Sequence, residues 1–403
     1  MELGLDRVSI VAERLALTRP PFRVISVAGT NGKGSTVAML QAILHTAGYR
    51  VGSYTSPHML RYNERVCIGA DPVSDAQLCA VFELIEQTRL DTPLTYFEFG
   101  TLAALQLFAQ QGIDVAILEV GLGGRLDAVN VVDADAAIVT SVGTDHTHWL
   151  GQGREQIGRE KAGIFRRARP AICADPDPPA SVRELADAIG ARFLQIGDDF
   201  RIERESASWR WRSRQQLRAG LPYPAMRGDY QVRNASAALM ALETLSEYLP
   251  VTQAQVRDGL LTAFIPGRFQ TLPGRPVRVL DVAHNVEAAA ALAETLKTQP
   301  VLGKTAAVLG ILRDKPIERV LSAMAPVVAR WYLTTLATER GAGAEELLAV
   351  LKAMGLNASA SLYPDPRSAY RAACSDAGKS DRVVVFGSFY TVSDILSDEH
   401  LRG

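Results

Sequence analysis

Two doubly wound α/β units, the second smaller than the first, are expected from this sequence on three observations. From residue 22 onward, short β-rich apolar runs alternate with helix-periodic stretches, a pattern that calls for a parallel sheet covered by helices on both faces. A glycine-rich loop joins the first of these strands to its helix. A segment carrying Pro266, Gly267, Pro273, Gly274 and Pro276 interrupts the alternation, which then restarts. The chain has 403 residues, 47% hydrophobic and 22% charged, so it is long enough for two or three cores and too apolar for disorder.

Residues 1–18 carry acids and arginines through a helical pattern, which excludes a recognisable signal peptide. Strands are expected at Phe22–Ala28, Val51–Tyr54, Val115–Val120, Ala136–Val142 and Ala171–Ala174, with a helix at Ser35–Ala47. Between Phe200 and Arg218 the period changes to two, with Ile202, Trp209 and Trp211 separated by charged residues. An antiparallel hairpin at the edge of the sheet is expected there. Helices follow at Asp229–Leu245 and Thr252–Phe264, and the Pro/Gly segment then divides the chain into a first domain 1–268, a linker 269–276 and a second domain 277–403. In the second domain strands are expected at Val277–Val282, Ala306–Gly310, Trp331–Thr335, Ala360–Tyr363 and Val383–Phe386. No G-x-G-x-x-G follows the first of them, so the fold alone gives no reason for a dinucleotide.

With 43 basic against 44 acidic side chains the net charge is -1, which provides no long-range field for nucleic acid or anionic lipid. The arginines of Trp209–Arg214 alternate with tryptophans, as on a hairpin with one apolar and one solvated face. No apolar run approaches the length of a membrane span. Neither nucleic acid nor membrane is expected as a partner. Cys67, Cys79, Cys173 and Cys374 lack C-x-x-C spacing, which suggests reduced, buried, inert thiols in a cytoplasmic protein.

The strongest chemical signal is the run Val24 to Thr36. An apolar strand ends at Gly29-Thr30-Asn31-Gly32-Lys33-Gly34, and Ser35 and Thr36 open a helix. This order aims backbone N–H groups and a positive helix end at a polyphosphate. Lys33 supplies a mobile charge for the β- and γ-phosphates, and Ser35 or Thr36 is available to Mg²⁺. The spacing is not the ordinary G-x-x-x-x-G-K-[ST], because Val27 stands six residues before Lys33 and Gly34 follows it. Glu119 closes the strand Val115–Leu118, which puts a carboxylate at the sheet edge where ligands bind and makes it a metal-ligand candidate. His146 follows the strand Ala136–Val142, where a histidine caps a loop as readily as it binds metal. Lys161 lies in a charged helical stretch, Arg154–Phe165, and by pattern alone is a solvated lysine. Phe97 suits either a flat heterocycle or the core of the helix that follows it.

These features lie within a series of runs: Gly29–Ser35, Ser56–His58, Glu64–Val66, Thr95–Glu98, Glu119–Asp127, Thr144–Thr147, Gly158–Phe165, Pro266–Phe269, Asp281–Asn285 and Gly387–Phe389. Together they cover almost the whole chain. The set resembles the Mur ligase superfamily and, within it, the folylpolyglutamate synthases, most closely the bifunctional bacterial branch. The resemblance implies an N-terminal P-loop ATPase-like domain of the Mur central type and a smaller, Rossmann-like glutamate-ligase domain. It implies ATP-dependent addition of L-glutamate to dihydropteroate and to reduced folates through an acyl phosphate, in a monomer. By the same resemblance Asn31, Gly32, Lys33, Gly34, Ser35, Thr36, Asn234, Arg268, Asp281 and His284 bind ATP, the last three from the other domain across a cleft that closes. Two Mg²⁺ ions are implied: Glu119 binds both, Ser35 and Ser56 help at the first, and His146 and a carbamylated Lys161 help at the second. Thr95, Phe97, Asp127 and Ala128 match the pterin pocket. The family's bifunctional members carry a further helix ahead of the Leu3–Val8 match, so a differently built pocket wall is expected here. A monofunctional folylpolyglutamate synthase and another Mur-type acid–amino acid ligase stand as alternatives. A nucleotide switch is less fitting, because the guanine-reading N-K-x-D is absent and a switch does not explain a second α/β domain or the Glu119, His146 and Lys161 set.

Overall fold

The computed structural model describes residues 2–356 and 359–398. They form two compact units, Met1–Ala225 with Tyr230–Phe264, and Met226–Asp229 with Ile265–Gly403.

The first unit contains β1 (Arg23–Ala28), β2 (Val51–Tyr54), β3 (Val66–Ile68), β4 (Asp71–Pro72), β5 (Val115–Glu119), β6 (Ala136–Val139), β7 (Pro170–Cys173) and β8 (Arg192–Gln195). They form one sheet in the order β4-β3-β2-β5-β1-β6-β7-β8. β2, β5, β1, β6, β7 and β8 run parallel, while β3 and β4 extend the edge antiparallel. β2, β5 and β6 are buried along their whole length and β1 nearly so, which is why they read as continuous apolar runs instead of alternating ones. The chain leaves β1 for β2 on one side and later crosses from β5 to β6 on the other. The direction of winding therefore reverses at β1, and the crevice beyond its carboxyl end is where an open α/β sheet binds ligands.

β9 (Phe200–Arg204), β10 (Trp209–Ser213) and β11 (Leu217–Leu221) form a separate three-stranded antiparallel sheet. This corrects the expected hairpin at the edge of the main sheet. The period-two pattern was a true guide to faces, since Trp209 and Trp211 are fully buried and Arg210 is exposed, but it carries no information about neighbours.

The second unit contains β12 (Gln270–Leu272), β13 (Val277–Leu280), β14 (Thr305–Leu309), β15 (Arg330–Thr334), β16 (Ala360–Tyr363) and β17 (Arg382–Phe386), in the order β12-β13-β17-β14-β15-β16. All are parallel except β12, which pairs antiparallel with β13. β12 lies within the stretch 269–276 expected as a linker. Gly274, at φ 106°, belongs to the turn of this hairpin, and a tight turn has the same Pro/Gly composition as a linker.

No helix among the described residues is long and apolar enough to cross a membrane. The four cysteines are free thiols. Cys173 is buried, Cys67 and Cys374 are half-buried and Cys79 is exposed, so the expectation of buried thiols holds fully only at Cys173 and fails outright at Cys79. Burial pushes the Cys67 thiol up to about 11 and that of Cys173 up to about 12, which keeps both protonated and inert.

Candidate active site

The phosphate loop leaves β1 through two glycines that no other residue replaces without strain. Gly29 has φ 152° and Gly32 φ 90°. A Cβ on Gly29 would strike the Thr140 hydroxyl, and one on Gly32 would come within 2.5 Å of Asn234 Oδ1. The helix Lys33–Thr46 starts directly behind Gly32, which as N-cap brings no side chain to the first turn. Its amino end is therefore shaped for an external anion. Lys33 curls back over the loop, its Nζ donating to Gly29 O at 3.0 Å and Thr30 O at 3.3 Å. Gly34, Ser35 and Thr36 are buried beneath it. Ser35 Oγ accepts from Gln231 Nε2 at 3.2 Å, and Gln231 Oε1 accepts from Asn234 Nδ2 at 2.9 Å.

β6 ends at Val139, three residues short of its expected end, because the following residues strap the loop. Thr140 Oγ1 and Ser141 Oγ donate to Asn31 O at 2.7 and 3.0 Å, and the Gly143 N–H donates to Thr30 Oγ1 at 2.9 Å. Thr140, Ser141 and Gln231 were missed by sequence reasoning. In one dimension, small polar residues after a strand look like any loop, and Gln231 looks like the wet face of a helix.

The β1–β5 register sets Glu119 opposite Val27, at the same sheet edge as the loop. Its carboxylate is 5% exposed and accepts from the Ser56 N–H at 3.1 Å, which joins the end of β2 to the end of β5. His146 is half exposed, in left-handed backbone at φ 54°, and serves as N-cap residue of the short helix Thr147–Leu150. Lys161, in the helix Arg154–Ala162, is only 4% exposed, so the reading of it as a solvated helix lysine is overturned. The glycines before Asp127 allow this burial. A Cβ on Gly124 would lie 2.8 Å from the carbonyl oxygens of Glu160 and Lys161. Burial lowers the Lys161 amine to about 7, the Lys33 charge adds to the fall, and Asp145 opposes it.

Among the described residues no group of three His, Cys, Asp or Glu side chains is placed to hold a metal ion by itself. Hydroxyls, one buried carboxylate and one histidine are nevertheless a fitting set for Mg²⁺, which is held by one or two carboxylates together with phosphate oxygens.

Thr95 caps the helix Tyr96–Gln111, its hydroxyl accepting from the Glu98 N–H at 3.3 Å while the Glu98 carboxylate accepts from the Thr95 N–H at 2.6 Å. Phe97 is half-buried. Its ring lies 5.7 Å from that of Tyr54 and covers Gly121, where a Cβ would meet it at 2.7 Å. Asp127 is buried and accepts from the N–H groups of Leu122 at 2.9 Å and Val129 at 3.0 Å. Burial raises its carboxyl to about 6 despite those donors and the Lys33 charge. Ala128, buried, begins the following 3-10 turn.

In the second unit Asp281 directly follows β13 and accepts from the Phe269 and Ala283 N–H groups, both at 2.8 Å. Burial raises its carboxyl, and Arg268 opposes the rise. The Arg268 guanidinium stands 5.1 Å from the Phe389 ring centre, and the His284 ring 6.3 Å from the same ring. Arg268, Asp281 and His284 thus gather at the carboxyl end of the second sheet.

A phosphate loop at a sheet's switch point, with a buried strand-end carboxylate beside it, defines a nucleoside-triphosphate site of the phosphoryl-transferring kind. The sequence profile of the Mur ligase middle domain matches residues 27–242, and that of the Mur ligase glutamate ligase domain matches residues 267–389. The dihydrofolate synthase/folylpolyglutamate synthase of Escherichia coli K12 is 44% identical over 396 residues, which span 98% of this chain and 91% of the relative. A structure of E. coli FolC in complex with DHPP and ADP superposes with a TM-score of 0.93 at 44% identity, covering 98% of this chain and 93% of that one. The Yersinia pestis bifunctional enzyme complexed with AMPPNP and Mn ion gives a TM-score of 0.93 at 46% identity, covering 99% and 94%. The chain belongs to the Mur ligases and, among them, to the dihydrofolate synthase/folylpolyglutamate synthase family.

Proposed function

We propose that the protein is an ATP-dependent ligase that adds L-glutamate to dihydropteroate, giving dihydrofolate, and to reduced folates, giving folylpolyglutamates. The observation that carries this reading is the strapped phosphate loop with Glu119 in register beside it, in a chain of this family. ATP's γ-phosphoryl group passes to the substrate carboxylate, giving ADP and an acyl phosphate. The glutamate amine attacks the acyl carbon, the C–N bond forms, a proton leaves the nitrogen and phosphate departs. Lys33 exchanges its two carbonyl partners for phosphoryl oxygens, and the loop N–H groups hold the β-phosphate. Asn31, Gly32, Gly34, Thr36 and Asn234 complete the nucleotide's cradle. Ser35, Ser56, Glu119, His146 and Lys161 would hold two Mg²⁺ ions, which supply charge neutralisation on the phosphoryl oxygens.

Lys161 takes part as a carbamate. Its buried amine, at about 7, is largely neutral in mildly alkaline solution, so its nitrogen attacks CO₂, the N–C bond forms and a proton leaves to water. The product offers oxygen to a hard cation that would repel an ammonium. The pterin packs on Phe97 beside Thr95, Asp127 and Ala128. Four free cysteines accord with a cytoplasmic protein.

Dihydropteroate labelled with ¹⁸O in its carboxylate tests the mechanism. One labelled oxygen should appear in the released inorganic phosphate. Unlabelled phosphate from a productive turnover would rule out the acyl phosphate.

A further inference from the structure

We propose that the second unit carries a binding site for a small organic carboxylate with an apolar body, at the end of its sheet opposite Asp281 and His284. An open hollow of about 380 Å³ lies there, among the residues that begin β14 and β17 and the chain leading into β15. Arg382, the first residue of β17, lines it and is only 5% exposed. Three of its N–H groups are engaged: Nε and Nη2 donate to Thr305 Oγ1 at 3.2 and 3.0 Å, and Nη1 donates to Gln299 O at 2.6 Å. A guanidinium has five N–H donors, so two remain.

All of these acceptors are neutral. Among the described residues no carboxylate pairs with Arg382, and burial alone lowers its pKa with no acid opposing the fall. Asp381 is the adjacent residue, but its carboxylate accepts from the Lys304 and Gly378 N–H groups, both at 2.7 Å. A buried cation supported only by neutral acceptors bears a desolvation cost that an incoming anion would offset, through charge-assisted hydrogen bonds to the spare donors. Lys304 adds an exposed positive charge at the rim. The lining also includes the apolar residues Leu296, Val327 and Val328. Charge and hydrocarbon in one hollow select a carboxylate joined to a short aliphatic or aromatic body over a bare inorganic ion.

Calorimetric titration of the full-length protein with butyrate, and separately with inorganic phosphate, tests this. ADP and Mg²⁺ are present throughout to fill the nucleotide site. Butyrate should bind the wild type, with affinity lower by at least about 10-fold in Arg382→Gln, where a charge-assisted bond is lost. Lys304→Glu, at an exposed position, should weaken binding several-fold while leaving glutamate ligation unchanged, and it serves as the test if Arg382→Gln does not fold. Phosphate should bind more weakly than butyrate. Absence of butyrate binding to the wild type, equal affinity in wild type and Lys304→Glu, or tighter binding of phosphate than butyrate overturns the assignment.

Discussion

At neutral pH an exposed lysine is a cation, but the Lys161 amine, 4% exposed and within reach of the Lys33 charge, titrates at about 7. Enzyme equilibrated with ¹³C-bicarbonate at pH 8 should therefore show a carbamate resonance that fades as the pH falls toward 6, because the protonated amine cannot hold CO₂. Lys161→Ala should lack the resonance and lose at least about 100-fold in turnover, with partial recovery when acetate supplies an oxygen donor. A wild type with full activity and no carbamate signal contradicts this. Asp127 shows the opposite sign. Its carboxyl rises from 3.8 to about 6, so the folded state holds the proton more tightly than the unfolded chain does. The stability this contributes is fully present below about pH 4 and is lost as pH rises through 6, about 3 kcal/mol in all. Unfolding of Asp127→Asn at pH 4 and at pH 7 should differ from the wild type by about that slope, and identical slopes would reject the raised pKa. Sequence pattern revealed neither environment. Arg159 and Glu160 precede Lys161 and make the stretch look solvated, whereas the backbone there packs closely on Gly124 of another segment. At the sequence level the resemblance alone pointed to Lys161 as a carbamylated metal ligand; its burial came from the structure.

Secondary structure followed from local chemistry wherever one face or two were buried. β1, β5 and β17 were legible as apolar runs, and Gly29 and Gly32 were legible as a phosphate loop because strand, glycines, lysine and helix occur in order. What stayed hidden was pairing. β10 and β12 pair with their neighbours in the chain, but nothing local says that the sheet of β10 stands apart from the main one or that β12 is a strand, and the strap from Thr140 to Asn31 joins residues far apart in sequence. The strap also makes the loop's shape testable. Gly32→Ala places a Cβ in left-handed backbone and against Asn234 Oδ1, and should cost about 1–2 kcal/mol of stability from the backbone conformation alone. It should also raise the KM for ATP by at least about 10-fold, since the displaced loop loses charge-assisted hydrogen bonds to phosphate. Steady-state kinetics and thermal unfolding check both, and an unchanged KM would mean that the loop does not cradle the nucleotide.

For the molecule as a whole, the two-unit α/β architecture was legible from alternation and the restart after residue 276, but the alternation alone named no substrate. The pterin side illustrates why. Thr95 spends its hydroxyl on a helix cap and Asp127 its oxygens on backbone N–H groups, so each has a structural role beside any role toward substrate. The activity itself is the decisive observable. ADP release should be measured on the purified protein with dihydropteroate and, separately, with tetrahydrofolate, each with and without L-glutamate. Sustained release is expected with either acceptor only when glutamate is present. Release with tetrahydrofolate alone as acceptor would contradict dual specificity, and release that does not depend on glutamate would contradict the ligase itself.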